Sequence, residues 1–173
     1  LDNKEFYLKN KKTILLARDP RDIVCSYYFH STSRKGVFHS TISDFIRDDD
    51  WGINKIIKFL NDWSTFIGNE NLLLCRYEDL KEDDFKEISK IVKFANLPLE
   101  KELLKQAVIS ARFDNLKKIS KESTEAPKIL KPTSADPNSG KVRKGKIGSY
   151  KEDLNNIDVQ FVATRGPHAS VND

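Results

Sequence analysis

Apolar residues fall along this chain in two alternating rhythms, and these predict alternating strands and helices. Thr13–Ala17 (TILLA) is a short apolar run flanked by Lys11 and Lys12 before it and Arg18 after it, and it reads as a buried strand. Asp19-Pro20 then opens a helix. Asp19 is suited to cap, Pro20 suits the first helical position, and Asp22 three residues after the cap completes an acidic capping box, in a helix that runs to His30 or Ser33. Over 54–67, Ile57, Leu60, Trp63 and Ile67 recur at helical spacing, so a second core-packed helix is expected. Glu70-Asn71 breaks it, and 72–77 (LLLCRY) is the second strand. Phe85, Ile88, Val92 and Ala95 mark a further amphipathic helix, Pro98 closes it, and 100–109 begins another. The alternation predicts an α/β fold, a parallel sheet with flanking helices.

The 173 residues suit one domain, and 38% hydrophobic residues with ten Phe supply a core. No apolar run approaches the roughly 20 residues that span a bilayer, and the mean hydropathy is −0.57, so no membrane association is expected. The net charge of +4 suits an anionic ligand but is too small to imply nucleic acid. Cys25 and Cys75 lie in apolar surroundings, without C-x-x-C or His at metal-ligand spacing, and are expected to be free thiols rather than a disulfide or a metal site. The chain opens on Leu1 and holds no Met, so its natural start is expected upstream.

Positive charge is uneven. Residues 123–140, with Pro127, Pro132 and Pro137, read as a long loop. In 141–151 (KVRKGKIGSYK) five cations and two glycines occur with no acid, the densest unpaired positive charge in the sequence. Glycines let successive N–H groups converge on an anion, and Arg143 and Lys144 add charge; a solvated charge run is the alternative. A nucleic-acid patch would interleave aromatic residues, and this one does not. Arg18 sits where a strand gives way to a capped helix, the edge of an α/β sheet at which ligands bind. Helix N–H groups, the Arg18 guanidinium and the Ser26 hydroxyl could hold a phosphate there; alternatively Arg18 pairs with Asp19 or Asp22. Tyr77-Glu78-Asp79 ends the second strand and is expected to cap the following helix rather than form an acid/base pair. His30, His39 and His168 have no catalytic or metal spacing.

Three stretches together resemble the cytosolic-type sulfotransferase family, which transfers a sulfuryl group from 3′-phosphoadenosine 5′-phosphosulfate (PAPS) to a hydroxyl or amine. Arg18-Asp19-Pro20-Arg21-Asp22 through Ser26-Tyr27-Tyr28 resembles the family's 3′-phosphate motif, implying that Arg18 and Ser26 hold that phosphate. Leu74-Cys75-Arg76-Tyr77-Glu78-Asp79-Leu80 resembles the strand whose Tyr lies near adenine, which implicates Tyr77. Arg143-Lys144-Gly145 with Gly148 and Lys151 resembles the loop that closes over the same phosphate. Phe113 stands where the family packs a Phe on adenine, although Ala111 replaces the usual Thr and Tyr150 a common Trp.

The resemblance implies a three-layer, P-loop-NTP-hydrolase-like α/β fold in a single domain over 1–173, incomplete at its N-terminus. It implies PAPS as cofactor with PAP as product, no metal, a small-molecule acceptor, a cytoplasmic location and room for a homodimer. The family's phosphosulfate loop with its catalytic Lys, and its His base, precede the segment that resembles Thr13–Ala17. No catalytic residue is therefore assigned within this sequence, and the chain alone is expected to bind the nucleotide weakly and to transfer no sulfuryl group. A non-catalytic nucleotide- or anion-binding module is the alternative.

Overall fold

A computed structural model of the chain describes residues 3–122, 127 and 130–165. In chain order its elements are α1 (Lys4–Asn10), β1 (Thr13–Ala17), α2 (Pro20–Phe29), α3 (Ile42–Arg47), α4 (Ile53–Ser64), β2 (Leu72–Arg76), α5 (Tyr77–Glu82), α6 (Asp84–Phe94), α7 (Lys101–Ala111), α8 (Phe113–Glu122) and α9 (Asn156–Ala163). A π turn at His30–Arg34 continues α2, and a 3-10 turn covers Ser149–Glu152. The chain divides into two compact units, one formed by residues up to Arg18 with Asp62–Arg112, the other by Asp19–Asn61 with the residues from Phe113 onward.

The first unit contains the sheet. β1 and β2 pair in parallel, in register from Thr13↔Leu72 to Ala17↔Arg76. Leu8 of α1, Leu15, Leu72 and Trp63 form its core, with Phe66 packed against them. The expectation of a wholly buried first strand is corrected, because Leu15 is buried while Ile14 is 44% and Leu16 57% exposed. Successive strand residues point to opposite faces, so the helical cover that buries Leu15 does not reach its two neighbours. Asp83 caps α6 by accepting from the Lys86 N–H, and Lys12 Nζ donates to Phe94 O and to Asn96 Oδ1 where that helix ends.

The second unit is helical. Val24 and Cys25 of α2, Phe45 and Ile46 of α3, Ile53, Ile56 and Ile57 of α4, Tyr150 of the 3-10 turn, Leu154 just after it, and Val162 of α9 form one buried cluster. Phe45 is fully buried at its centre, with Phe38 and Tyr27 edge-on to its ring at centroid distances of 4.9 and 5.2 Å. Asp158 is buried as well, and its carboxylate accepts from Ser43 Oγ and Arg47 Nη1 (2.6 Å each). α4 ends at Ser64, earlier than its apolar spacing predicts, and leaves Ile67 55% exposed beyond it.

The described part of the 123–140 loop, residues 127 and 130–140, holds no helix or strand. Arg34 Nη1 donates to Lys131 O (3.1 Å) and Ser139 O (2.9 Å), which ties residues 131–139 to the π turn. The remainder of that loop, and His168, lie outside the described residues.

Candidate functional site

The parallel register decides what stands beside Arg18. Ala17 is paired with Arg76, so the next residue of each chain segment, Arg18 and Tyr77, emerges side by side from the carboxyl ends of the strands. The Arg18 guanidinium lies over the Tyr77 ring, 4.2 Å from its centroid, a stack that holds the cation without neutralising it. Tyr77, Glu78 and Asp79 lie in the first turn of α5, where two carboxylates suit the helix N-terminus.

In the second unit Asp19 caps α2 by accepting from the Arg21 N–H, and it forms an ion pair with the Arg21 side chain (2.6 Å). Arg21 in turn lies over the Tyr150 ring at 4.3 Å. Asp22 serves a distant stretch of the chain. Its carboxylate is buried and accepts from the Gly148 N–H (2.9 Å), the Tyr150 N–H (2.9 Å) and Ser149 Oγ (3.2 Å). The sequence offered the nest around both glycines to an external anion, but the half at 148–150 is filled by the protein's own carboxylate.

The expectation of unpaired charge in 141–151 is likewise corrected. Arg143 Nη2 and Lys144 Nζ both bond to Asp153, at 3.1 and 2.7 Å, and Lys144 also meets Glu152 at 3.1 Å. These acids stand just past Lys151 and come back to the cations through the 3-10 turn. The Arg143 side chain is only 13% exposed, and its guanidinium stacks on Phe29 at 4.0 Å. Its Nη1 is buried with no hydrogen-bond partner among the described residues. A buried guanidinium N–H left unmatched beside a second cation is what a phosphate oxygen would satisfy.

Gly145 touches Phe113. Its φ is +63°, and a Cβ there would come within 2.2 Å of the Phe113 ring. The aromatic proposed for adenine and the backbone proposed for phosphate are therefore neighbours, although Phe113 begins α8 and is 32 residues away in sequence. Ser26 is exposed on α2, one turn beyond Asp22.

Cys25 is fully buried beside these groups; burial first, and then the negative charge of Asp153, push its thiol up to about 12. Burial also raises the Cys75 thiol. Both cysteines are free. His30 has its pKa lowered by burial and by Lys141, Lys35 and Arg34. No group of His, Cys, Asp or Glu among the described residues could hold a metal ion, and no helix among them is long and apolar enough to cross a membrane.

Sequence reasoning missed Asp22 as a ligand of the loop, and Asp153. Nothing local in the sequence marks Asp22, whose partners are 126 to 128 residues away. Asp153 is nine to ten residues from its cations, and a slightly wider window would have included it.

The first unit thus carries a cation at the carboxyl ends of its parallel strands, and the second a glycine-containing basic loop latched to a helix, in a chain of the α/β class. Comparison with known proteins identifies the kind. The chain belongs to the sulfotransferase domain family, whose model matches residues 2–164. It is 28% identical over 154 residues to Sulfotransferase 1C2 of Rattus norvegicus, covering 84% of this chain and 50% of that protein. To Sulfotransferase 2B1 of Homo sapiens it is 27% identical over 154 residues, covering 86% of this chain and 41% of that protein. The chain thus spans about half the length of the curated relatives it matches.

Among solved structures, mouse sulfotransferase SULT7A1 complexed with PAP superposes with a TM-score of 0.70 at 18% identity, over 91% of this chain and 57% of that one. Retinol dehydratase in complex with androsterone and inactive cofactor PAP gives 0.72 at 22% identity, over 91% and 47%. The fold is therefore the P-loop-like α/β fold of the sulfotransferases, as expected.

Proposed function

We propose that this chain carries the nucleotide-binding part of a PAPS-dependent sulfotransferase acting on a small-molecule hydroxyl or amine. The observation that carries this reading is the buried Arg143 guanidinium, with one N–H lacking a partner among the described residues, beside Lys144 and the left-handed Gly145. Family membership and two solved neighbours described with PAP support it.

In this reading Ser26, Arg143, Lys144 and the Gly145 N–H of the second unit hold the 3′-phosphate and Phe113 packs on the adenine, while Arg18 and Tyr77 of the first unit are assigned to the same nucleotide by the family resemblance alone. PAPS, when bound, supplies a sulfuryl group whose bond to the 5′-phosphate oxygen breaks as a bond to the acceptor forms, releasing PAP and the acceptor's proton. The residues of this chain bind and orient the nucleotide; none is assigned to proton transfer. Positioning and charge neutralisation are the main sources of rate in such transfers. The two units draw on alternating stretches of sequence, so the chain passes between them repeatedly, which supports one sulfotransferase domain over 1–173. The same reading places the protein in the cytoplasm. Its acceptor belongs to the broad class that includes the androsterone and retinol with which retinol dehydratase has been solved.

Titration with adenosine 3′,5′-bisphosphate and with adenosine 5′-monophosphate tests the proposal. The chain is expected to prefer the 3′-phosphorylated nucleotide, and Arg143→Ala to weaken that binding by about 1.5–3 kcal/mol, the value of a hydrogen bond to a charged group. Equal affinity for the two nucleotides would overturn it.

A further inference from the structure

We propose that Asp22 is the positioning residue of the phosphate loop, a latch that fixes residues 143–148 against the helix carrying Ser26. This deepens the nucleotide reading above and rests on it.

Asp22 is 1% exposed, and a carboxylate taken out of water needs donors for its lone pairs. Three come from a single turn of chain more than 120 residues away: the Gly148 N–H on Oδ2, and the Tyr150 N–H with Ser149 Oγ on Oδ1. The convergence depends on Gly148, whose φ of +70° starts the 3-10 turn and directs successive N–H groups toward one point. The protein has built an anion nest and filled it with its own carboxylate. An external phosphate therefore has the other end of the loop, where Gly145, Lys144 and the unmatched Arg143 Nη1 lie.

The latch also sets a distance. Asp22 and Ser26 are four residues apart on α2, so they share a face of one rigid helix. Holding Gly148 and Tyr150 on Asp22 thus places the C-terminal end of the loop at a fixed height along the helix relative to the Ser26 hydroxyl. The ring of Tyr150 is clamped further by Arg21, itself paired with Asp19, so consecutive residues of the first turn grip the same segment. Asp22 would touch no ligand atom; it acts through the loop.

Asp22→Asn keeps the volume and one acceptor oxygen but turns an amide N–H toward a backbone donor. Its affinity for adenosine 3′,5′-bisphosphate is expected to fall about tenfold to a hundredfold, the range for a lost hydrogen bond to a charged group, with affinity for adenosine 5′-monophosphate unchanged. Amides of 143–147 are expected to exchange with solvent faster than in the wild type. Should Asp22→Asn not fold, Ser149→Ala removes one donor of the three and is expected to lower the same affinity about twofold to tenfold. A merely structural role would weaken both nucleotides alike, and that result, or unchanged binding of both, would overturn the positioning role. A wild-type chain that does not distinguish the nucleotides overturns the nucleotide reading, and Asp22's role falls with it; selective loss in the variants supports both.

Discussion

Gly145 is the residue at which conformation and packing coincide. At φ +63° any side chain is strained, and a Cβ would overlap the Phe113 ring, so Gly145→Ala forces either the loop or the aromatic to move. The left-handed conformation alone is worth about 1–2 kcal/mol, and that loss of stability should appear in urea unfolding together with weaker binding of adenosine 3′,5′-bisphosphate. An alanine variant with wild-type stability and affinity would separate Phe113 from the site. Asp153 makes the opposite prediction. It is the shared counter-ion of Arg143 and Lys144, so Asp153→Asn should lower stability in the absence of ligand while raising affinity for the bisphosphate, which then takes over its electrostatic role. Weaker binding in that variant would show that Asp153 organises the cations rather than competing for them. Cys25 gives a pH signature. Its folded thiol, pushed up to about 12 from 9.0, stays protonated while the unfolded thiol ionises, so its contribution to stability is constant below about pH 9 and falls as pH rises toward 12. Cys25→Ser removes that titration; an unchanged alkaline limb would assign it elsewhere. Residue chemistry was legible in the sequence where partners are near: Asp19 caps, and Arg143 with Lys144 carries charge. Asp22 and Asp153 were not, because a carboxylate's partners depend on where the chain returns.

Elements with a local signal were read closely. β1 matches its expected bounds, β2 ends one residue earlier because Tyr77 enters a helix, and α2 starts at the proline that follows its cap. Five of the described helices went unread, and among them α3 and α9 carry a cap signal that could have found them. Thr41 and Asp44 form a reciprocal capping box at the start of α3, and Asn155 accepts from the Asp158 N–H at the start of α9. Both helices are short, eight residues or fewer, with too few turns for a hydrophobic period to emerge. Yet α3 carries the centre of the second unit's core. Phe45 is surrounded by Tyr27, Tyr28, Phe38 and Trp51, and its removal would open a cavity among aromatic rings that cannot collapse easily. Phe45→Ala is expected to cost about 3–5 kcal/mol, measured by chemical denaturation. A loss under about 1 kcal/mol, the scale of a surface substitution, would mean that α3 does not organise this core.

On the scale of the whole chain, the alternation of strand and helix was enough to predict the α/β class, because parallel pairing between β1 and β2 requires a long helical crossover. It could not show how much of the sheet is covered. Ile14, Leu16 and Leu74 are all more than a third exposed, and each of the two strands pairs along one edge only among the described residues. Exposed apolar side chains next to unpaired strand edges are the usual template for association. The chain is therefore expected to self-associate as its concentration rises, with the two strands as the contact. Leu16→Lys places a charge on a position that is 57% exposed, where the lost burial is small, and a lysine on such a face opposes strand-to-strand pairing. Sedimentation velocity over a concentration series should show the wild type shifting to larger species and the variant remaining at the monomer value, with the two unfolding at similar urea concentrations. Association that persists in Leu16→Lys would move the contact away from β1, and the exposed Phe6 and Leu103 would become the next positions to charge.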